Sequence, residues 1–94
     1  MASVEHLMQR KDGSEVKVVA QAFFGRGLHC SIGVHVLHRA NPESNWKLAN
    51  DRPHPDWRSM SVDEYVKHGR SEMLRVASIG EILRATSELQ KLLH

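Results

Sequence analysis

Apolar and polar residues alternate along the first 39 positions of the chain. Residues 14–24 carry an unbroken apolar series at even positions from 16 onward, and residues 28–39 continue largely in the same phase. Alternation with a period of two is typical of strands that bury one face and expose the other. Glycine-containing turn sequences separate the alternating segments. The pattern therefore predicts a three-stranded antiparallel meander over residues 1–39.

The two turns of this meander predict its register. The Asp-Gly pair at 12–13 is typical of a two-residue hairpin turn, which would place Leu7 opposite Val18. The Gly-Arg-Gly segment at 25–27 predicts a three-residue turn that ends on a left-handed glycine and places Val18 opposite Val34. A two-residue turn there would put apolar residues out of phase. The predicted apolar face then consists of Leu7, Val16, Val18, Ala20, Ala22, Cys30, Ile32, Val34 and Val36.

The last third of the chain has the period of amphipathic helices. Two Ser-x-x-Glu sequences, at 61–64 and 78–81, are capping boxes that mark helix starts. Because the apolar stripes of the two segments differ in phase by about a third of a turn, they predict two helices with a break near Ser78. The expected core positions are Val62, Tyr65, Val66, Met73, Val76 and Ala77 in the first helix, and Ile79, Ile82, Leu83, Leu89 and Leu93 in the second.

These elements predict an α+β fold in which both C-terminal helices cover one face of the sheet. The 94 residues are expected to form one domain, composed of a β-meander (1–39), a long loop (40–60) and a helical pair (61–94). The loop holds all three prolines and both tryptophans. Within it, residues 46–49 are a candidate fourth strand.

Composition and charge narrow the classes of function. No apolar run is long enough to span a membrane and no leader sequence is visible, so we expect a soluble, cytoplasmic protein with no membrane partner. The net charge is +2, and residues 1–40 hold five Lys/Arg against three Asp/Glu, whereas the rest of the chain is balanced. Such a small excess permits nucleic-acid binding without indicating it.

The histidines do not predict a metal site. His29, Cys30, His35 and His38 are close in sequence, but strand alternation places Cys30 and His38 on the apolar face and the other two on the opposite face. His6 would share that second face with His35, about 12 Å away, too far to share a metal. Cys30 is expected to be a small buried hydrophobe. With no nucleotide-binding or hydrolase motif present, we expect no metal, no cofactor and no enzymatic activity.

The long loop carries the predicted binding surface. Tryptophan and arginine dominate the energetics of protein interfaces, and the loop concentrates both types. We therefore expect a small regulatory or adaptor protein that binds another protein. The alternative that the tryptophans plug the core stays open at this stage. The predicted partner-binding residues are Trp46, Lys47, Arg52, His54, Trp57 and Arg58.

Two further interactions are compatible with the sequence. Homodimerisation is plausible through the open sheet edges and an apolar group at Leu89, Leu92 and Leu93. The second candidate function is a nucleic-acid-binding module. Its contacts would come from the basic residues of the loop and from Lys17, Arg26 and Arg39 around the sheet. The helical pair could also be a helix-turn-helix, although its second helix is partly acidic on its outer face.

Overall fold

A computed structural model describes residues 2–24, 30–49 and 55–93 of the chain. An antiparallel sheet of order β1-β2-β3-β4 is formed by the strands β1 (Ser3–Gln9), β2 (Glu15–Phe24), β3 (Cys30–Arg39) and β4 (Lys47–Leu48). After a short 3-10 helix at Trp57–Ser59 come α1 (Val62–Val76) and α2 (Ile79–Leu92). The predicted α+β architecture is confirmed, including the fourth strand. No helix within the described ranges is long and apolar enough to cross a membrane.

The turn between β1 and β2 is one residue longer than predicted. The Arg10 N–H donates to the Ser14 carbonyl, and the Gly13 N–H donates to the Arg10 carbonyl. Residues 11–13 thus form a three-residue loop, and Gly13 has the left-handed backbone (φ +90°) that this loop requires. The predicted two-residue turn is therefore wrong.

The extra loop residue exchanges the two faces of β1, so that each of its side chains lies on the side opposite to the predicted one. Leu7 lies opposite Lys17 rather than Val18, and it is 57% exposed on the sheet face away from the helices. Val4 and Met8 pack against the core instead. A slip of one residue exchanges the two faces of a strand, because side chains alternate with a period of two. Leu7 consequently does not belong to the apolar face.

The register of β2 with β3 also differs from the prediction, by two residues. Val18 lies opposite Val36 rather than Val34, and the pairing ends at Phe24 opposite Cys30. Five residues, 25–29, separate those last partners; the predicted turn at 25–27 lies outside the described residues. Because the shift is even, the predicted faces of β2 and β3 are unchanged.

The core lies between the sheet and the helices and is built mainly from valine and alanine. Its buried members are Val16, Val18, Ala20, Ala22, Val36, Ala49, Ala77, Ala85 and Leu89. α2 packs across β1 and β2, whereas α1 packs beside β3 and buries none of its own residues completely. Five of the predicted helical core positions are exposed: Val62, Tyr65, Val66, Ile79 and Leu83. Helical periodicity indicates the apolar side of a helix, but not how much of its length another element covers.

Both predicted helix starts are confirmed. The Ser61 Oγ accepts a hydrogen bond from the Glu64 N–H. At α2, Ser78 and Glu81 form a reciprocal capping box. The break falls at Ala77, whose backbone is extended.

Two polar links attach α2 to β1 and to Arg10, the residue that follows it. Arg10 donates to both carboxylate oxygens of Glu81, each at 2.8 Å, and to the Val76 carbonyl at 2.9 Å. About two turns further along α2, Glu88 Oε2 lies 2.7 Å from His6 Nε2. Both links use side chains that the actual β1 register directs towards the helices, so they depend on the three-residue loop.

Candidate functional site

Both helices lie on one side of the sheet, and the described residues leave its other side uncovered. We call this side the open face. Row by row, its positions are Gln9, Glu15 and Arg39; Leu7, Lys17, Leu37 and Leu48; Glu5, Val19 and His35; and Ser3, Gln21 and Gly33. Phe23 and Ser31 complete its far end. An antiparallel sheet often presents polar residues on a solvated face, but this face also carries several large apolar side chains.

Trp46 lies on the open face just before β4. Its ring centroid is 4.2 Å from the Arg39 Cζ and 4.7 Å from the Lys17 Nζ. The sheet places these two cations together, since Arg39 and Lys17 belong to adjacent rows of β3 and β2. A cation over an indole ring is attracted by the negative face of the ring, at about 0.5–1 kcal/mol for an exposed pair. The half-buried indole is thereby held against the sheet.

A buried carboxylate fixes the arginine of this cluster. Glu15 is only 3% exposed, and its Oε1 accepts from the Arg39 Nε at 2.7 Å and lies 2.6 Å from Nη2. Its other oxygen accepts a weaker bond from Gln9 at 3.4 Å. A buried charge requires a partner of this kind, because an unpaired one would carry a large desolvation cost. The ion pair with Glu15 therefore holds the Arg39 guanidinium in place against the Trp46 ring.

An apolar row crosses the sheet beside Trp46. Leu7, Leu37 and Leu48 occupy β1, β3 and β4 of the same row, where Leu7 is 57% and Leu48 49% exposed. At the far end of the face, the Phe23 ring covers Gly33, where a Cβ atom would lie 2.7 Å from the ring Cε2. Phe23 remains 43% exposed. The open face thus combines an indole, two cations and exposed aliphatic side chains.

The predicted site residues are only partly brought together. Trp46, from the predicted loop patch, joins Lys17 and Arg39, which belonged to the alternative nucleic-acid set. Lys47 is exposed and pairs with His38, which places it towards the helix side.

The rest of the loop patch is less fully described. Arg58 is exposed in the 3-10 helix that begins at Trp57. Arg26, Arg52 and His54 lie outside the described residues, as does the side chain of Trp57. For Trp46, the structure shows a half-buried position on the open face and not a core plug.

The predicted placement of His6 is corrected. His6 faces the helices, where it bonds Glu88, while His35 is exposed on the open face, so the two do not share a face. His38 takes the predicted helix side. Within the described ranges, no group of three or more His, Cys, Asp or Glu residues is arranged to hold a metal ion. His29 and the Cys30 side chain are outside those ranges, and the absence of a bound metal stays a prediction.

The fold separates the three C-terminal leucines that were predicted to support dimerisation. Leu89 is fully buried in the core, Leu93 is partly buried, and only Leu92 is largely exposed. The three leucines therefore do not form a shared surface.

Sequence reasoning missed the leucines of the open face. Leu37 and Leu48 alternate out of phase with the core residues of their own strands, and that phase was the available signal. The assembly of Trp46 with Lys17 and Arg39 had no local signal, because it joins residues from three separate segments. Comparisons with protein-family models, with curated proteins and with solved structures gave no match, so a function must be argued from this arrangement itself.

Proposed function

We propose that this chain is a non-enzymatic protein-binding module that recognises a partner protein through the open face. The observation that carries the proposal is the half-buried Trp46 cluster beside the apolar row of Leu7, Leu37 and Leu48, in which Leu7 and Leu48 are exposed. Large apolar side chains grouped on a surface favour association, because contact with a partner removes them from water.

The chemistry of the cluster fits the centre of a protein interface. Tryptophan and arginine are the residue types most enriched among interface hot spots. Trp46 and Arg39 are already held in place by Lys17 and Glu15, so binding would cost little side-chain entropy. The matching partner surface has an apolar patch with a carboxylate at its rim, which would face the Lys17 ammonium.

The nucleic-acid alternative has weaker support. Arg39 already forms an ion pair with buried Glu15, and Lys17 lies against the indole ring. A phosphate-binding surface uses cations that face solvent, and single-stranded nucleic acid also needs an aromatic face open for stacking. Neither a phosphate backbone nor single-stranded nucleic acid would contact the exposed leucines. A protein partner would contact all of these groups.

Photo-crosslinking tests the surface before the partner is known. A photoreactive amino acid replaces Leu48 on the open face, and the matched control carries it at Tyr65, an exposed position on α1. We expect a discrete crosslinked protein only from position 48. Adding Trp46→Ala should remove it, since hot-spot truncation weakens binding by ~2 kcal/mol or more.

The fold must survive Trp46→Ala for this result to count. Circular dichroism and urea unfolding should show a small loss of stability, because Trp46 contacts charged side chains outside the core. Crosslinking of equal yield from positions 48 and 65 would contradict the proposal. Binding to generic RNA or DNA that falls steeply with salt and disappears in Lys17→Ala would favour the nucleic-acid function instead.

A further inference from the structure

A recess lies on the helix side of the sheet, away from the half-buried Trp46 ring on the open face. It forms where the β1–β2 hairpin, the β3–β4 connection and the end of α1 meet. Its volume is about 440 Å³, within the ~300–1,000 Å³ typical of small-molecule sites. Val16 and Val76 contribute apolar wall, and three cationic side chains surround it: Arg10, Lys47 and Arg75. Arg39 also lines the recess, but its guanidinium lies against Trp46 and Glu15 on the open face.

The charge of this recess is one-sided. None of the described residues that line it is aspartate or glutamate. Two carboxylates, Glu81 and Glu72, pair with Arg10 and Arg75 but do not line the recess. Three cations less two carboxylates leave a formal charge of +1 around the recess. An anion is therefore the ligand that the site favours.

The ion pairs leave hydrogen-bond donors available. Arg10 makes three bonds, to Glu81 and the Val76 carbonyl, whereas a guanidinium carries five N–H donors. Lys47 is exposed and forms no ion pair with any described residue. The salt bridge to Glu81 thus orients the Arg10 guanidinium without using all of its donors, beside an ammonium group that has three donors.

We infer that this recess binds a phosphate group. Its cations come from the β1–β2 hairpin turn, β4 and α1 and so approach the centre from several directions. A tetrahedral phosphate accepts hydrogen bonds from several directions at once, whereas a carboxylate presents its two oxygens in one plane. The apolar wall of Val16 and Val76 would contact the organic part of a phosphate ester.

Titration of the full-length, ¹⁵N-labelled chain with inorganic phosphate tests this inference. Sodium chloride holds the ionic strength constant, and the amides of Ser14, Ala40 and Lys47 report on the recess. We expect saturable shifts of these amides. Lys47→Ala should weaken binding about threefold or more, the size expected for one exposed charge. Lys67→Ala removes an equal charge from an exposed position of α1 outside the recess and should change nothing.

A second titration with phenyl phosphate identifies the source of the phosphate group. Tighter binding than inorganic phosphate supports an ester that uses the apolar wall, and equal binding supports the phosphate group alone as the ligand. Three results would overturn the inference: shifts that sodium chloride reproduces, stronger saturation by acetate, or the same affinity in Lys47→Ala and Lys67→Ala. None of these readouts depends on Trp46, so the two proposals stand or fall separately.

Discussion

Replacing Glu81 with glutamine isolates the ion pair that attaches the helical layer to β1. Glutamine keeps the size of the side chain and its ability to complete the capping box with Ser78, but removes the negative charge. In the native chain the hydrogen bond from Arg10, together with that from the Ser78 N–H, lowers the pKa of Glu81 from 4.5 to about 2. The substitution therefore removes a charge that the folded state favours.

The magnitude follows from that pKa. At 1.36 kcal/mol per pH unit, the fall from 4.5 to about 2 sets an upper limit of ~3 kcal/mol. The side chains of Arg10 and Glu81 are 34% and 24% exposed, so solvent screens the pair. We expect Glu81→Gln to lower the free energy of unfolding by about 1–2 kcal/mol at pH 6.

The lowered pKa also predicts in which direction the effect of Glu81→Gln changes with pH. Because folding lowers the pKa of Glu81, its ionised form stabilises the fold above pH 4.5, and this stabilisation is lost as the pH falls from 4.5 towards 2. The difference between native chain and Glu81→Gln should therefore shrink to about half or less at pH 3. Urea unfolding followed by circular dichroism at both pH values measures it.

Glu64→Gln is the matched control, since Glu64 occupies the same capping position in α1 and forms no ion pair with any described residue. It should cost only a small fraction of the Glu81→Gln effect at pH 6. The reasoning fails if the two substitutions have equal effects, or if the effect of Glu81→Gln is the same at pH 6 and pH 3.

Three further outcomes are expected. Leu89→Ala should destabilise the fold by about 2–5 kcal/mol because Leu89 is fully buried, whereas Leu83→Ala, at an exposed site, should shift the urea midpoint little. Gly33→Ala should displace the Phe23 ring, so in a Phe23→Ala background the same change should become stabilising by about 0.5–1 kcal/mol; a double-mutant cycle without coupling would contradict the contact. Protein purified without a histidine tag should contain well under one equivalent of zinc by elemental analysis, and a stoichiometric amount would refute the expectation of no metal site.

Local patterns in the sequence determined which elements form. The Ser-x-x-Glu sequences at 61–64 and 78–81 mark both helix starts because a capping box needs only residues within one turn. The alternation in β2 and β3 assigned their faces correctly, since a register error of two residues leaves a face unchanged. The α+β order followed from these elements, because one apolar sheet face and two apolar helix stripes must cover each other.

Only the tertiary structure decided the register and the site. The Asp-Gly pair at 12–13 is compatible with loops of two or three residues, and the alternation of Val4 and Met8 in β1 was the better guide to its face. The Trp46 cluster depends on that sheet, because cations distant in sequence become neighbours of the ring only when β2 and β3 pair. Local sequence specifies local geometry. Contacts between distant segments depend on strand register, and register is set by the packing of the whole sheet against its helices.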